Sequence, residues 1–562
     1  MTKGETESRY LNGHVFHDAK SNFTLNLAGF ELLDDINKIK KTHEYSVKKA
    51  IAKVVEIESG AIVNTTANKE ETEDRAVDHY NLRHPQELVK GKSLDHSLKQ
   101  WNEVNTFVSK ILDGTTLNED KQKYQDVIFN GIGGSFLGPL MLVIAAHGDN
   151  YNLKKGDKKL PLNLHFFSNT DPDSFKVLAD KLDLKTSIMV NISKSGGTQE
   201  TKGNMDTFNA LLSKQGIEMG PHNIAVTTSG SGFDKFAKEN KFLNIIYMFN
   251  ETGGRTSIAS AVGMVPAAFA KLSFDEFLKG QSYMDELTRK DDLTQNPALL
   301  ISIAIDILTK RHGRKNMIVL GYSDFLKEFA HYLQQLYMES LGKEYDIDGV
   351  PNPEGQTVFG GVGTGEQHAF MQQVQKGIPD CFVRFIHFLK RDHDYDIKEA
   401  GSMGRQLLAF VKGTEDALLQ NGKPYMTCTF ETCNMFNIGM MVALEERIVT
   451  FLGAFRNINA YDQPGVQDGK KAATNMNKVS LNIENFIAQK GSKGWQWKGD
   501  AAQARKDFEL EESTPIWFVD AVLSDLFANV NVDNSYAKLK GKIQIERSFD
   551  NSRFIYSIQS SL

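Results

Sequence analysis

Six consecutive positions, Ser193, Lys194, Ser195, Gly196, Gly197 and Thr198, put three hydroxyls, one ammonium and two glycines between the apolar run SIMVNI and the helix-like run TQETKGNMDTFNALLSK. That combination suits an anion. Hydroxyls and an ammonium donate hydrogen bonds, glycines let backbone N–H groups come close, and a following helix presents its positive end. Upstream, NGIGGSFLGP places Gly133, Gly134 and Ser135 after the strand-like DVIF in the same way. Either loop alone also fits an ordinary strand-to-helix turn, in which serine and threonine cap the helix and bind nothing. Two familiar phosphate motifs do not fit. A dinucleotide fingerprint starting at Gly131 needs glycine where Phe136 stands. GVQDGKK has one residue too few, and Lys471 stands where a Walker loop needs Ser or Thr.

Groups able to move a proton lie further on. In DFLKEFAHYLQQLYMESLGKEYD, Gln335 and Glu339 are four apart, so they share one face of the predicted helix, with Asp324 as the expected N-cap and Gly342 as the stop. Glu339 falls near the helix's negative end, where a carboxylate is disfavoured. On its own, a single glutamate in a helix is compatible with a solvated surface group. His368 follows the glycine-rich GGVGTG and is expected in the first turns of a helix, as a packing residue or as a catalyst. Arg255 sits in GGRTS, and Gln463 and Lys470 flank a turn in YDQPGVQDGKKA. A cation in such a place is also compatible with a solvated surface. His387, Asp392, His393 and Asp394 crowd together in HFLKRDHDYD, but their spacing matches no standard ligand pattern and no metal is expected.

These loops need a scaffold. From about 125, the β-rich runs DVIFN, LNLHFF, SIMVNI, NIAVTT and LNIIYM are mostly separated by helix-like stretches. A helical stretch near 275–312 follows, and a second series opens with NMIVLG and continues through CFVRFIHFL and YMTCTF. Alternating strand and helix predicts parallel sheets with helices on both faces, and ligands in such sheets bind outside the carboxyl ends of the strands. The fold class read here is α/β: two doubly wound parallel-sheet domains with helical N-terminal and C-terminal extensions. The expected divisions are 1–110, 111–285, 286–515 and 516–562. The first is read as helical from periodic stretches such as ELLDDINKIKKTHEYSVKKAIAKVVEIESG, and the last contains a hairpin turning at Asp550-Asn551.

Composition bounds the partners. The 562-residue chain carries a formal net charge of −6, which gives no basic footprint for nucleic acid or for an anionic membrane. Its three cysteines are too few for a disulfide framework. The opening segment lacks an apolar core of the secretory kind, no apolar run is long enough to span a bilayer, and the final SSL lacks the basic residue of a peroxisomal address. The expectation is a cytoplasmic protein with no nucleic-acid or membrane partner.

In order along the chain, TEDRAVDHYNLR, GIGGSFLGP, SKSGGTQET, GGRTS, MESLGKEYD, GTGEQHAF and YDQPGVQDGK resemble the signature segments of the glucose-6-phosphate isomerase (phosphoglucose isomerase) family, over roughly residues 60–480. The resemblance implies two sugar-isomerase domains, the first smaller than the second, in a homodimer with a shared active site and no cofactor. It implies reversible isomerisation of glucose 6-phosphate to fructose 6-phosphate in glycolysis and gluconeogenesis. Gly134 and Ser135 match the first phosphate loop, and Ser193, Lys194, Ser195 and Thr198 the main sugar-phosphate cradle. Gln335 and Gln463 match glutamines near the sugar hydroxyls. Arg255 matches the arginine beside the enediolate, Glu339 the proton-shuttling base, and His368 with Lys470 the ring-opening pair. Four positions depart from the family's usual pattern. The family often has an aromatic residue before a threonine pair in the cradle, and here Gly196-Gly197 intervene; Thr256 replaces Phe, Leu341 replaces Asn, and Pro464 replaces Trp. These bear on the cradle's shape and the sugar-side fit. The alternatives are an isomerase that also takes mannose 6-phosphate, and a sugar-phosphate-binding regulator without catalysis.

Overall fold

The computed structural model describes residues 3–12, 14–30, 36–67, 72–153, 156, 159–490, 494–550 and 552–561. The stretch expected to be wholly helical at the N-terminus contributes strands as well. His14–Asp18 (β1) and Phe23–Asn26 (β2) form an antiparallel hairpin, followed by helices Ile36–Glu58 (α1) and Leu94–Leu112 (α2). Residues 31–35, which open the predicted first helix, lie outside the described residues. The hairpin was hidden because it is short and polar at its turn. Its apolar residues Phe23 and Leu25 find their burial only against a strand some 400 residues away.

The first sheet is built from Asp126–Asn130 (β3), Asn163–Phe167 (β4), Ser187–Ile192 (β5), Asn223–Thr228 (β6) and Asn244–Met248 (β7). All neighbours are parallel, in the order β4-β3-β5-β6-β7. Strands β3 and β5 are adjacent, and the chain winds outward from them in both directions. Their carboxyl ends therefore form the crevice where a doubly wound sheet takes its ligand. NGIGGS leaves β3 there, and SKSGGTQET leaves β5 to enter helix Gln199–Lys214 (α3). The strands are not purely apolar. Buried Asn130, Asn191 and Asn223 run a side-chain ladder across β3, β5 and β6, with bonds of 2.7 and 2.9 Å.

Helix Phe274–Thr288 (α4) leads to the second sheet, whose parallel strands are Asn316–Gly321 (β8), Thr357–Val362 (β9), Cys381–Phe388 (β10) and Tyr425–Phe430 (β11). The full order is β1-β2-β11-β10-β8-β9, so the N-terminal hairpin extends this sheet antiparallel beyond β11. Again the first two strands wind apart, β9 lying on one side of β8 and β10 on the other. The α/β reading with two doubly wound parallel sheets holds. After β8, the predicted helix divides. Asp324–Leu326 is one turn of 3-10 helix capped by Ser323, not by Asp324, and Phe329–Leu341 (α5) follows, stopped at Gly342. Ser323 is better placed than Asp324 because its extended backbone lets its Oγ accept from Phe325 N.

Helix Met435–Arg456 (α6) is buried almost end to end and packs against α1, α4 and α5. It carries Glu445, Glu446 and Arg447 into the core, and each is paired. Arg384 from β10 grips Glu445 with bonds of 2.6 and 2.7 Å, Arg83 bonds Asp285 of α4 at 2.6 Å and also Glu446, and Arg447 bonds Asp285 at 3.1 Å. Such pairs specify which elements meet; removing one partner strands a buried charge.

Contacts divide the chain into Met1–Asp462 and Gln463–Leu562. The second unit thus begins well before the tail expected at 516. Its helix Pro464–Lys490 (α7) turns Val479, Ile483 and Ile487 into a core shared with Phe508, Leu523 of helix Ile516–Asn529 (α8) and Tyr556. Strands Gln496–Gly499 (β12), Ile543–Asp550 (β13) and Arg553–Ser560 (β14) close it as an antiparallel sheet. The predicted hairpin is β13-β14, with Asp550 paired to Arg553; Asn551 itself lies outside the described residues.

Candidate active site

The NGIGGS loop meets GGRTS and α5 through missing side chains. A Cβ on Gly134 would stand 1.8 Å from the Gly254 carbonyl oxygen, so only glycine lets the NGIGGS loop lie on the backbone that carries Arg255. A Cβ on Gly133 would stand 2.9 Å from Gln335 Nε2 on α5. Ser135, half-buried, ends the same short 3-10 turn.

In the second loop, Ser193 Oγ accepts from Gly196 N at 3.1 Å and Ser195 Oγ accepts from Gly197 N at 3.2 Å. Both hydroxyls thereby shape the turn and keep their own hydrogens for another acceptor. Gly196 has φ +79°, and a Cβ there would meet Phe233 at 2.6 Å, so the glycine is required by backbone and by space. Thr198 takes the N-cap position of α3, yet its side chain makes no capping bond. Lys194 donates to the Thr252 carbonyl at 3.5 Å, which ties this loop to the one that carries Arg255. Burial, and then the Arg75 guanidinium, lower the Lys194 ammonium to about 8. A dianion in the loop would reverse that shift.

Arg255 is 4% exposed and held on three sides. Its Nε donates to Ser340 Oγ at 2.6 Å, and its Nη2 donates to the carbonyls of Ala460 at 2.7 Å and Asp462 at 3.0 Å. Nη1 is different. It stands 3.2 Å from Glu339 Oε1 and makes no hydrogen bond to protein among the described residues. The guanidinium is thus anchored through Nε and Nη2 and offers Nη1 beside a carboxylate. This partner resolves the awkward place of Glu339 in the last turn of α5. The Glu339 carbonyl, one of the four that a helix end leaves unsatisfied, accepts from Lys343 Nζ at 2.7 Å. Gln335, one turn earlier, leaves its buried Oε1 without a protein partner among the described residues.

The sequence-selected residues therefore fall into groups. Gly134, Arg255, Gln335 and Glu339 are brought together, and the cradle Ser193, Lys194, Ser195 and Thr198 joins them through Thr252. His368 does not sit in the first turns of a helix. Strand β9 runs through Gly360 and Gly361, a single turn Gly363–Gln367 follows, and His368 ends it, exposed, before a separate helix Met371–Lys376. No hydrogen bond or ion pair joins it to Arg255 or Glu339 among the described residues. Gln463 and Lys470 belong to the C-terminal unit. The turn ends by Gln463, and Lys470 lies exposed within α7, not at the turn. Among the described residues no three His, Cys, Asp or Glu side chains gather as a metal would need.

Sequence reading passed over Ser340, Lys343, Asp462 and Arg75. All four lie within segments already singled out. A serine, lysine or aspartate declares its role only through its partner, and no local signal marks these partners.

A family model described as phosphoglucose isomerase matches residues 35–423. The chain belongs to the phosphoglucose isomerase family. Among relatives, it is 36% identical over 496 residues to a glucose-6-phosphate isomerase of Prochlorococcus marinus strain NATL2A, covering 87% of this chain and 90% of that one. It is 38% identical over 451 residues to that of Thermosynechococcus vestitus, covering 79% and 82%. Among solved structures, a glucose-6-phosphate isomerase from Chlamydia trachomatis superposes with a TM-score of 0.75 at 25% identity, over 85% of this chain and 92% of that one. Phosphoglucose isomerase membership agrees with two parallel sheets and with a first-sheet glycine loop that lies on the backbone of Arg255, beside Glu339. No helix among the described residues is long and apolar enough to cross a membrane.

Proposed function

We propose that the chain interconverts glucose 6-phosphate and fructose 6-phosphate, without a cofactor, in the cytoplasm, in glycolysis and gluconeogenesis. The observation that carries this reading is the Arg255–Glu339 ion pair at 3.2 Å, in which Nη1 makes no hydrogen bond to protein among the described residues. A regulator that only held a sugar phosphate would need the cradle and not this pair. In the proposed mechanism, Ser193, Lys194, Ser195, Thr198 and Ser135 hold the 6-phosphate at the carboxyl ends of β3 and β5. That remote binding energy fixes the open chain over Glu339. His368 and Lys470 open the ring as base and acid. Glu339 takes the proton from C2 and returns it to C1, and Arg255 Nη1 stabilises the negative enediolate oxygen. Gln335 and Gln463 bond sugar hydroxyls. The two sugar-isomerase domains are 111–285 and 286–515, the second sheet being extended by the N-terminal hairpin β1-β2.

A proton NMR time course in heavy water tests the reading. Glucose 6-phosphate should convert to fructose 6-phosphate with deuterium entering at the transferred position. Parallel mannose 6-phosphate shows whether the C2 epimer is also taken. No turnover of either sugar would return the chain to the class of binding proteins.

The cradle has its own test. Thr198→Ala removes a hydroxyl that caps nothing, so thermal stability should hardly change, whereas a lost bond to a charged phosphate costs about 1.5–3 kcal/mol. Inhibition by a six-carbon sugar phosphate should weaken roughly 10- to 100-fold by that figure. An unchanged inhibition constant would place the phosphate elsewhere.

We also propose a homodimer whose sites take His368 from the second subunit. Glu339→Gln and His368→Ala homodimers should each be nearly inactive. Co-refolded one to one, they should regain roughly a quarter of wild-type sites, because a mixed symmetric dimer concentrates both defects in one site. Recovery of nothing, with mixed dimers seen by native mass spectrometry, would put both groups in one chain.

A further inference from the structure

Below Arg255 lies a second ion pair that no part of the proposed chemistry uses. Lys343 follows Gly342, the stop of α5, and its side chain is 6% exposed; the Asp462 side chain is 3% exposed. Lys343 Nζ makes three contacts: the Glu339 carbonyl at 2.7 Å, the Asp462 carbonyl at 3.3 Å and Asp462 Oδ1 at 3.3 Å. The Asp462 carbonyl is also one of the two acceptors that fix Arg255 Nη2. On its far side, Asp462 Oδ2 accepts from Asn459 Nδ2 at 3.0 Å, and that amide also donates to Asn64 Oδ1 at 2.9 Å. One ammonium therefore clamps the end of the helix that carries the carboxylate to the loop that anchors the guanidinium.

We propose that Lys343, paired with Asp462, is a positioning residue for the isomerase site, setting the separation between Glu339 and Arg255 Nη1. The inference rests on the isomerase reading. A lysine serves where an apolar side chain would not, because two backbone carbonyls and a carboxylate converge there with no other donor among the described residues that reaches all three. A displacement of about 1 Å between reacting groups lowers a rate by about 100-fold, so the clamp acts on turnover more than on substrate binding.

The charge on Lys343 is not assured at every pH. Burial first, and then the Arg255 guanidinium, lower it to about 8 against the opposing pull of Asp462 and Glu339. Asp462 is itself raised by burial and held down by Lys343 and Arg255, with Glu73 acting the other way. A lysine lowered to about 8 is charged below that pH and neutral above it. Its grip on Asp462 therefore weakens as pH rises through that value, and kcat should fall there.

The test is a kcat and KM pH profile for wild type, Lys343→Met and Asp462→Asn on glucose 6-phosphate, with melting temperatures alongside. Lys343→Met should lower kcat about 10- to 100-fold at neutral pH with KM within about threefold, and should lose the alkaline limb that wild type shows. Ethylammonium added to Lys343→Ala should restore part of kcat, which a merely space-filling role would not allow. The wild-type profile stands even if a variant fails to fold: a flat kcat from pH 7 to pH 9.5 overturns the inference. So does a folded Lys343→Met with kcat within threefold of wild type. Wild type that turns over neither glucose nor mannose 6-phosphate overturns the isomerase reading itself, and the inference with it.

Discussion

Glu339→Gln is expected to lower kcat by about 100- to 10,000-fold, the range for losing a general acid–base group, while sugar-phosphate affinity stays near that of wild type. The amide keeps the side chain's shape, and its oxygen can still face Arg255 Nη1, now 3.2 Å from Glu339 Oε1. The Glu339 carbonyl remains available to Lys343, so the end of α5 should not move. What disappears is a group able to carry a proton from one carbon to its neighbour. Steady-state turnover and deuterium wash-in at C2 should fall together. If turnover stays above about a tenth of wild type, the base is another residue, since that loss is smaller than general acid–base catalysis ordinarily contributes.

Arg255→Lys is expected to cost about 100- to 1,000-fold in kcat, as removal of an oxyanion donor does. Charge is retained; the planar fork is not. A single ammonium cannot replace the bonds to Ser340, Ala460 and Asp462 and still present a donor beside Glu339. Two outcomes separate its roles. Acceptors left buried without a donor should lower the melting temperature, because each costs about 1–3 kcal/mol. The fall in kcat should exceed the rise in KM. A pure KM effect would mean that Arg255 holds substrate and enediolate equally well, and the electrostatic role would be wrong.

Both effects depend on residues whose types were legible before their partners were. The parallel strands β3 to β8, β10 and β11 and the glycine loops could be read from the chain because their signals are local: a short apolar run, a helical period, glycines at a turn; β9, whose TVFGGV carries two glycines, was read only as the glycine-rich turn before His368. Even there the reading was coarse. Gly196 was chosen as a residue that lets an anion approach; in the fold it also answers a positive φ and the Phe233 side chain. His368 was expected inside a helix, but the strand pairing of β9 to β8 extends through Gly360 to Val362 and leaves room for only one turn before it.

By itself, then, the sequence determined the α/β class and the glycine loops at the strand ends, because backbone period and turn chemistry act within a few residues; the candidate reactive side chains came from the family resemblance. Only the tertiary structure decided who meets whom. Arg255 takes its anchors 85, 205 and 207 residues away, Lys343 finds Asp462 119 residues on, and Leu25 of β2 pairs with Cys428 of β11 in the second sheet. A buried charge is tolerable only beside a partner, and that partner is chosen by the packing of whole elements, which no local window of the chain contains.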